Sequence, residues 1–203
     1  TLAALRDLDT LSVLDVKRGD IGSTMAGYAQ AYLSDDAPLA SDSITVSPYL
    51  GYGSLTPALN LAEASGRGVF VLALTSNPEG AGVQHAVNGD QAVAAGIVEG
   101  VTASNAQASG GGRLGSIGLV IGATVGGAVS DLGIDLQRAN GPLLAPGVGA
   151  QGAGPAELEA VFGSARRQVL ASTSRGVLKA GPSMEALRKA ASASAYEAAT
   201  ALR

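Results

Sequence analysis

Short apolar runs alternate with longer stretches of helical spacing along the chain. Leu11 to Lys17 (LSVLDVK) predicts a strand, and Ser23 to Leu33, rich in Ala, Tyr and Gln, predicts a helix. Ser43 to Ser47 (SITVS) predicts a second strand, followed by a helix over Leu55 to Ala64. Gly68 to Leu74 (GVFVLAL) is the third strand, and a long helical region from Val83 to Ala108 follows it. That region closes in the glycine-rich Ser109 to Gly112. Ser116 to Ile121 (SIGLVI) is the fourth strand, with a weak, Gly-rich helix or loop reaching Ala139. Leu143 to Ala145 is a short fifth strand, and Pro155 to Phe162 a helix with proline in its first turn. Gln168 to Ser172 (QVLAS) is the sixth strand, and the Ala-rich Ser183 to Leu202 is the last helix. The residues ahead of Leu11 read as the tail of another helix.

Strands separated by helices pair in parallel through right-handed crossovers. Their continuous apolarity predicts a sheet covered on both faces. Two architectures fit: an open doubly wound sheet, or part of an eight-stranded barrel. Both place ligands at the carboxyl ends of strands, and the polar clusters of this chain follow its strands.

Composition narrows the partners more than the fold. The chain has 203 residues, the size of one ordinary domain. Hydrophobic residues make up 46% but aromatics only 3%, so the core must be built from Ala, Val, Leu and Ile, as suits an α/β protein. A net charge of −4 and a pI near 4.9 argue against nucleic acid or an anionic membrane as a bulk partner. An anionic ligand would need a local basic pocket. Without cysteine there is no disulfide, thiol nucleophile or thiolate metal site, which fits a cytoplasmic protein. No apolar run approaches the roughly 20 residues that span a bilayer; the richest, Leu119 to Val129, is broken by glycines. The first residues carry acidic groups where a signal peptide would carry basic ones.

The segment Leu14 to Thr24, LDVKRGDIGST, carries the sharpest chemistry. Residues two apart in a strand share a face, about 6.6 Å apart. Asp15 and Lys17 are therefore expected to point the same way at a strand end, with Asp20 just beyond in the loop opening the next helix. Opposite charges on the inner face of a core strand are unfavourable unless paired. They make either an ion pair that orders the loop or a catalytic array. Thr75 to Gly80 (TSNPEG) makes a turn in which Ser or Asn caps the next helix, or Ser76 meets a ligand. Ala145 to Gly152 contains G-x-G-x-x-G, but the position about 20 residues on, where a dinucleotide site needs an acid, falls in Ala171-Ser172-Thr173. A phosphate cradle of backbone N–H groups suits it better. Arg175, in Thr173-Ser174-Arg175-Gly176, is a surface charge or a phosphate ligand. Arg166 and Arg167 precede their strand and would face the opposite end. The single histidine, His85, reads as a surface or capping residue. With no His or Cys cluster, no zinc site is expected. Asp15 and Asp20 could hold Mg²⁺, but Lys17 between them opposes it electrostatically.

Together these segments resemble the orotidine 5′-monophosphate decarboxylases of the actinobacterial-type branch. That family carries D-x-K-x-x-D-I-x-x-T at the end of its third barrel strand, and Asp15 to Thr24 matches throughout. TSNPEG and Ser47 to Gly53 (SPYLGYG) resemble the same branch. The resemblance runs from about Leu11 to the end and implies a TIM (β/α)8 barrel with strands three to eight in this chain. It implies two βα units ahead of Thr1, supplying a ribose-binding aspartate and a lysine that completes a Lys-Asp-Lys-Asp array. A chain truly beginning at Thr1 would leave the barrel open and inactive. On this resemblance residues 1–203 are one barrel domain, N-terminally incomplete, that converts orotidine 5′-monophosphate to UMP and CO₂ without metal or organic cofactor. Asp15 then sits beside the departing carboxylate, and Lys17, as the ammonium, favours and protonates the C6 carbanion. Asp20, Ile21 and Thr24 reach the partner's pocket in a homodimer. Ser76 binds the pyrimidine, and Gly149, Gln151 and Arg175 the phosphate. Two alternatives share much of this pattern: a sugar-phosphate decarboxylase or aldolase of the same superfamily, and an inert barrel that only binds phosphate ligands.

Overall fold

The computed structural model describes residues 1–108, 112–148 and 153–203, and the predicted apolar runs become strands. The chain runs α1 (Leu2–Asp7), β1 (Val13–Arg18), α2 (Gly22–Leu33), β2 (Ser43–Val46), α3 (Thr56–Ala64) and β3 (Gly68–Leu74). It continues through α4 (Ala81–Gln84), β4 (Val87–Asn88), β5 (Gln91–Ala92), α5 (Val93–Ser104), β6 (Ile117–Ile121) and α6 (Ala128–Asp131). It ends with β7 (Leu143–Pro146), α7 (Pro155–Phe162), β8 (Val169–Ser172), α8 (Arg175–Leu178) and α9 (Met184–Ala201).

Six strands make one sheet in the order β1-β2-β3-β6-β7-β8. The pairs β1–β2, β2–β3 and β7–β8 are parallel. Each strand lies beside the one before it in the chain, with no reversal of order. A doubly wound sheet requires such a reversal at its switch point, whereas a barrel does not. The fold is therefore of the TIM (β/α)8 class, with six of its strand units in this chain.

The chain divides into two compact units: Thr1–Leu72 with Glu99–Leu119 and Ala139–Pro142, and Ala73–Val98 with Val120–Arg138 and Leu143–Arg203. In the first, α2 buries Met25, Ala29, Tyr32 and Leu33, a stripe of helical period that packs on α3. Strand β2 is buried at every position. Its start is tied to the approach to β1: the Ser12 N–H and hydroxyl both donate to Asp42 Oδ2, at 2.8 and 2.6 Å. Strand β1 departs from the expected two-sided burial, because it lies at the end of the strand order. Its residues are exposed or half-buried, with Val13 38% exposed. In the second unit, α7 buries Leu158, Val161 and Phe162, starts with Pro155, and is tied by Glu157 accepting the Gly154 N–H. Helix α9 is capped by Ser183, whose hydroxyl accepts the Ala186 N–H.

The helix expected over Val83 to Ala108 is corrected. Helix α4 ends at Gln84, β4 and β5 form an antiparallel hairpin, and α5 begins only at Val93. Between the strands Gly89 has φ +64, a conformation that glycine adopts without steric cost. The two-residue Gly89-Asp90 turn, with glycine first, outweighed the helical spacing around it. No described helix is long and apolar enough to cross a membrane.

Candidate active site

The carboxyl end of β1 is irregular. From Leu14 to Arg18 the strand advances four positions while its partner advances two, from Ile44 to Val46. Such a bulge bends a strand and re-aims its side chains. Lys17 takes up the bend with φ +46, a left-handed conformation that a β-branched-free but long side chain still adopts only under constraint. Downstream, the Ser47 N–H donates to the Arg18 carbonyl at 2.7 Å. Gly19 lies so close to the Ser47 carbonyl oxygen that any Cβ there would overlap it, so only glycine allows this closure.

The bulge brings three side chains together. Lys17 Nζ lies 2.5 Å from Asp15 Oδ2. The hydroxyl of Thr45, on β2, donates to Asp15 Oδ1 at 2.7 Å and accepts the Lys17 backbone N–H at 3.0 Å. Partial burial pushes the Asp15 carboxyl up, but the hydrogen bonds from Lys17 and Thr45 and the Lys17 charge outweigh it and hold it below the usual carboxylate value. Asp15 and Lys17 therefore meet as expected, on the more exposed side of β1, and the left-handed backbone at Lys17 is what the alternation did not foretell. The pair is also half exposed rather than buried in a core, with side chains 58% and 52% exposed.

Asp20 takes no part in these contacts. Its Oδ1 accepts the N–H of Ile21 at 2.8 Å, just before α2. Ile21 is 62% exposed, and Thr24 is exposed in the first turn of α2, so both face solvent beside Asp20. Arg18 turns elsewhere, its guanidinium 5.7 Å from the centre of the Tyr28 ring.

In the second unit, the turn after β3 is held by its own side chains. The Thr75 N–H donates to Gln84 Oε1 at 3.0 Å, and Gln84 Nε2 donates to the Thr75 hydroxyl at 2.7 Å. Asn77 Nδ2 donates to Glu79 at 3.0 Å and keeps that carboxyl below its usual value. Asn77 stands at the helical start but makes no side-chain cap bond. None of these bonds uses the Ser76 hydroxyl, and Ser76 is exposed. Arg175 follows β8, is exposed, and opens α8. Arg166 lies before β8 and is paired with Glu159. His85 is exposed and ends α4. Gly149 and Gln151 lie outside the described residues.

Two polar residues escaped the sequence reading. Thr45 reads in SITVS as an ordinary β-branched strand residue. Only the β1–β2 register reveals its partners. Asn105 lay unmarked inside a predicted helix. It is 3% exposed, and its amide bonds the backbone of Ile117 and Ala139. Among the described residues no group of three or more His, Asp or Glu is placed to hold a metal ion.

Residues 1–190 match the model of the orotidine 5′-phosphate decarboxylase / HUMPS family. An orotidine 5′-phosphate decarboxylase from Streptomyces coelicolor is 58% identical over 204 residues, covering 100% of this chain and 70% of the relative. One from Salinispora arenicola is 56% identical over 192 residues, covering 94% of this chain and 66% of the relative. The chain thus spans about two-thirds of the length of these relatives. Among solved structures, a Streptomyces avermitilis protein described as an orotidine 5′-phosphate decarboxylase superposes with TM-score 0.91 at 57% identity, covering 99% of this chain and 68% of that one. Leishmania donovani OMP decarboxylase superposes with TM-score 0.68 at 29% identity, covering 93% and 68%.

Proposed function

The chain belongs to the orotidine 5′-phosphate decarboxylase / HUMPS family, and from that membership we propose how its residues remove CO₂ from C6 of orotidine 5′-monophosphate to give UMP. The relatives that match across the chain are decarboxylases of pyrimidine synthesis, so the enzyme class is carboxy-lyase. The Lys17–Asp15 contact at the carboxyl end of β1 carries the proposal. Asp15 places a negative charge where the substrate carboxylate departs. The C6–carboxylate bond breaks and its electron pair stays on C6, beside the Lys17 ammonium. Fixed charge aimed at charge that develops in the transition state is usually the largest catalytic contribution. The ammonium then gives its proton to C6, and solvent reprotonates the amine. No metal or organic cofactor enters.

Ser76, whose hydroxyl takes no part in the bonds of its turn among the described residues, is assigned to the pyrimidine. Gly149, Gln151 and Arg175 are assigned to the phosphate. Asp20, Ile21 and Thr24 serve the partner's pocket in a homodimer with shared sites. Residues 1–203 act as one barrel domain in a cytoplasmic enzyme; nucleic acid and membranes are not partners. The sugar-phosphate alternative fares worse at one point. Both Asp15 oxygens are engaged, by Lys17 and by Thr45, which leaves Asp15 poorly placed to bind Mg²⁺.

The test is the absorbance change as the full-length protein turns over orotidine 5′-monophosphate, before and after exhaustive chelation. Turnover that chelation leaves intact is expected. No turnover, or loss on chelation with recovery on adding Mg²⁺, would move the assignment to the sugar-phosphate branch.

A further inference from the structure

We propose that Thr45 is a positioning residue: its hydroxyl holds the Asp15 carboxylate and the Lys17 main chain in one fixed arrangement. The proposal rests on the roles given to Asp15 and Lys17 above, while its geometric support is independent of them. Thr45 is 1% exposed, between Ile44 and Val46, both 0% exposed. A hydroxyl in such a strand must find partners. It has one proton to donate and lone pairs to accept. A backbone N–H can only donate, so the Lys17 N–H takes a lone pair and the Thr45 proton goes to Asp15 Oδ1. The other Asp15 oxygen meets Lys17 Nζ, which closes a ring of contacts through Lys17 itself.

The bulge explains why a hydroxyl is needed. Between Leu14 and Arg18 the regular β1–β2 pairing lapses, and Lys17 sits at positive φ. Its N–H is turned to a side chain instead of a β2 carbonyl. Thr45 supplies the missing acceptor and so maintains the kink that aims the lysine. The same hydroxyl helps keep Asp15 ionised. Valine would fill the same space but would leave the N–H and the carboxylate oxygen without this partner. Small displacements of a reacting group lower rates steeply.

Thr45→Val and Thr45→Ser in the full-length protein test this. The readouts are kcat and KM for orotidine 5′-monophosphate, UMP affinity, and the Asp15 carboxyl titration followed by carbon NMR. Lys17, on the same strand, is the charged group in contact with Asp15, and Thr45 faces it from β2. Thr45→Val should lower kcat about 10- to 100-fold, with UMP affinity within about threefold, and Asp15 should titrate at higher pH. Thr45→Ser, which keeps the hydroxyl, should restore both kcat and the titration to within about threefold of the parent's behaviour. Near-parental kcat in Thr45→Val, equal losses in Val and Ser, or an unmoved Asp15 titration would overturn the proposal. A loss confined to KM and UMP affinity would do so as well. If the parent itself fails to turn over the substrate, the decarboxylase assignment falls, and the Asp15 titration still judges Thr45. If Thr45→Val does not fold, the hydroxyl-bearing Ser variant decides: kcat and Asp15 titration near the parent's support the role, and loss of either overturns it.

Discussion

The first unit contains two polar knots of opposite design. At Asn105 one neutral amide, 3% exposed, donates Nδ2 to the carbonyls of Ile117 at 2.7 Å and Ala139 at 2.9 Å, and accepts the Ile117 N–H at 3.3 Å. It fastens the end of α5 to the start of β6 and to the segment approaching β7. At Asp15 and Lys17 the groups are charged, half exposed, and tied to a left-handed backbone, with the buried Thr45 hydroxyl joining them. A satisfied buried amide stabilises its surroundings strongly, because losing any part leaves dry polar groups unpaired. A solvent-exposed ion pair contributes little to folding, and positive φ at a non-glycine residue detracts from it. The first knot serves the fold, and the second suits the catalytic role proposed for Asp15 and Lys17. Their placement agrees: carboxyl ends of barrel strands carry catalysis, amino ends carry stability.

Replacing Lys17 should give the largest effect. Lys17→Ala should reduce kcat by about a thousandfold or more, since the group acts on charge that develops in the transition state. Unfolding free energy should stay within about 1 kcal/mol of the parent, and UMP should still bind. Near-normal turnover would remove the proton-donor role and leave only an ion pair that orders the loop.

Asn105→Ala should show the reverse. Two carbonyls and an N–H lose a buried partner, so denaturant unfolding should report a loss of about 2–4 kcal/mol. The kcat of the molecules that remain folded should be unchanged. A variant as stable as the parent would mean that water or relaxation satisfies those groups. A fall in kcat without loss of stability would erase the distinction between the two knots.

The two knots were unequally visible in the sequence. LDVKRGDIGST announces Asp15 and Lys17 because opposite charges two positions apart interrupt an otherwise apolar run. The strands were legible for a related reason, since their continuous apolar runs are bounded by polar turns. Thr45 was not legible, because its partners come from the register of a neighbouring strand. Nor was the kink at Lys17, beside which Gly19 closes against Ser47 from another loop. Asn105 binds residues 12 and 34 positions away, and no local pattern marks it. The hairpin at Val87 to Ala92 is hidden for the opposite reason: helical spacing runs through it, and the short Gly89-Asp90 turn decides it.

Asp20 sharpens the comparison within the proposed catalytic region, because it stands apart from the Asp15–Lys17 pair. If it serves a partner's site, Lys17→Ala and Asp20→Ala homodimers each contain two defective sites. A mixed dimer gathers both defects into one site and leaves the other intact. Random exchange of equal amounts makes half the dimers mixed, so activity should recover to about a quarter of the parent's under isologous pairing. Remixing with subunit exchange confirmed by mass makes the measurement. A mixture as inactive as its dimeric parents would place Asp20 in its own subunit's site.

The smallest expected effect is the acid dependence of stability contributed by Asp15. Burial alone would raise its carboxyl, yet the bonds from Lys17 and Thr45 and the Lys17 charge leave it below the usual value in the folded chain. A carboxyl that is more acidic folded than unfolded stabilises the fold above its unfolded pKa, near about 4. That contribution must fade as pH falls through the lower, folded value, where both states are protonated. Asp15→Asn should therefore be slightly less stable than the parent near neutrality, by under about 1 kcal/mol given how exposed the pair is to screening. The difference should shrink steadily in acid. Chemical unfolding of parent and variant between neutral pH and the acid limit of folding provides the measurement. A difference that stays constant through that range would come from packing of the amide, not from charge. The Asn105→Ala variant supplies the contrast, since no charge is removed: its deficit relative to the parent should be flat across the same range. A pH-dependent deficit at Asn105 would show that the buried amide is coupled to an ionising group, and the division between a neutral structural knot and a charged catalytic one would no longer hold.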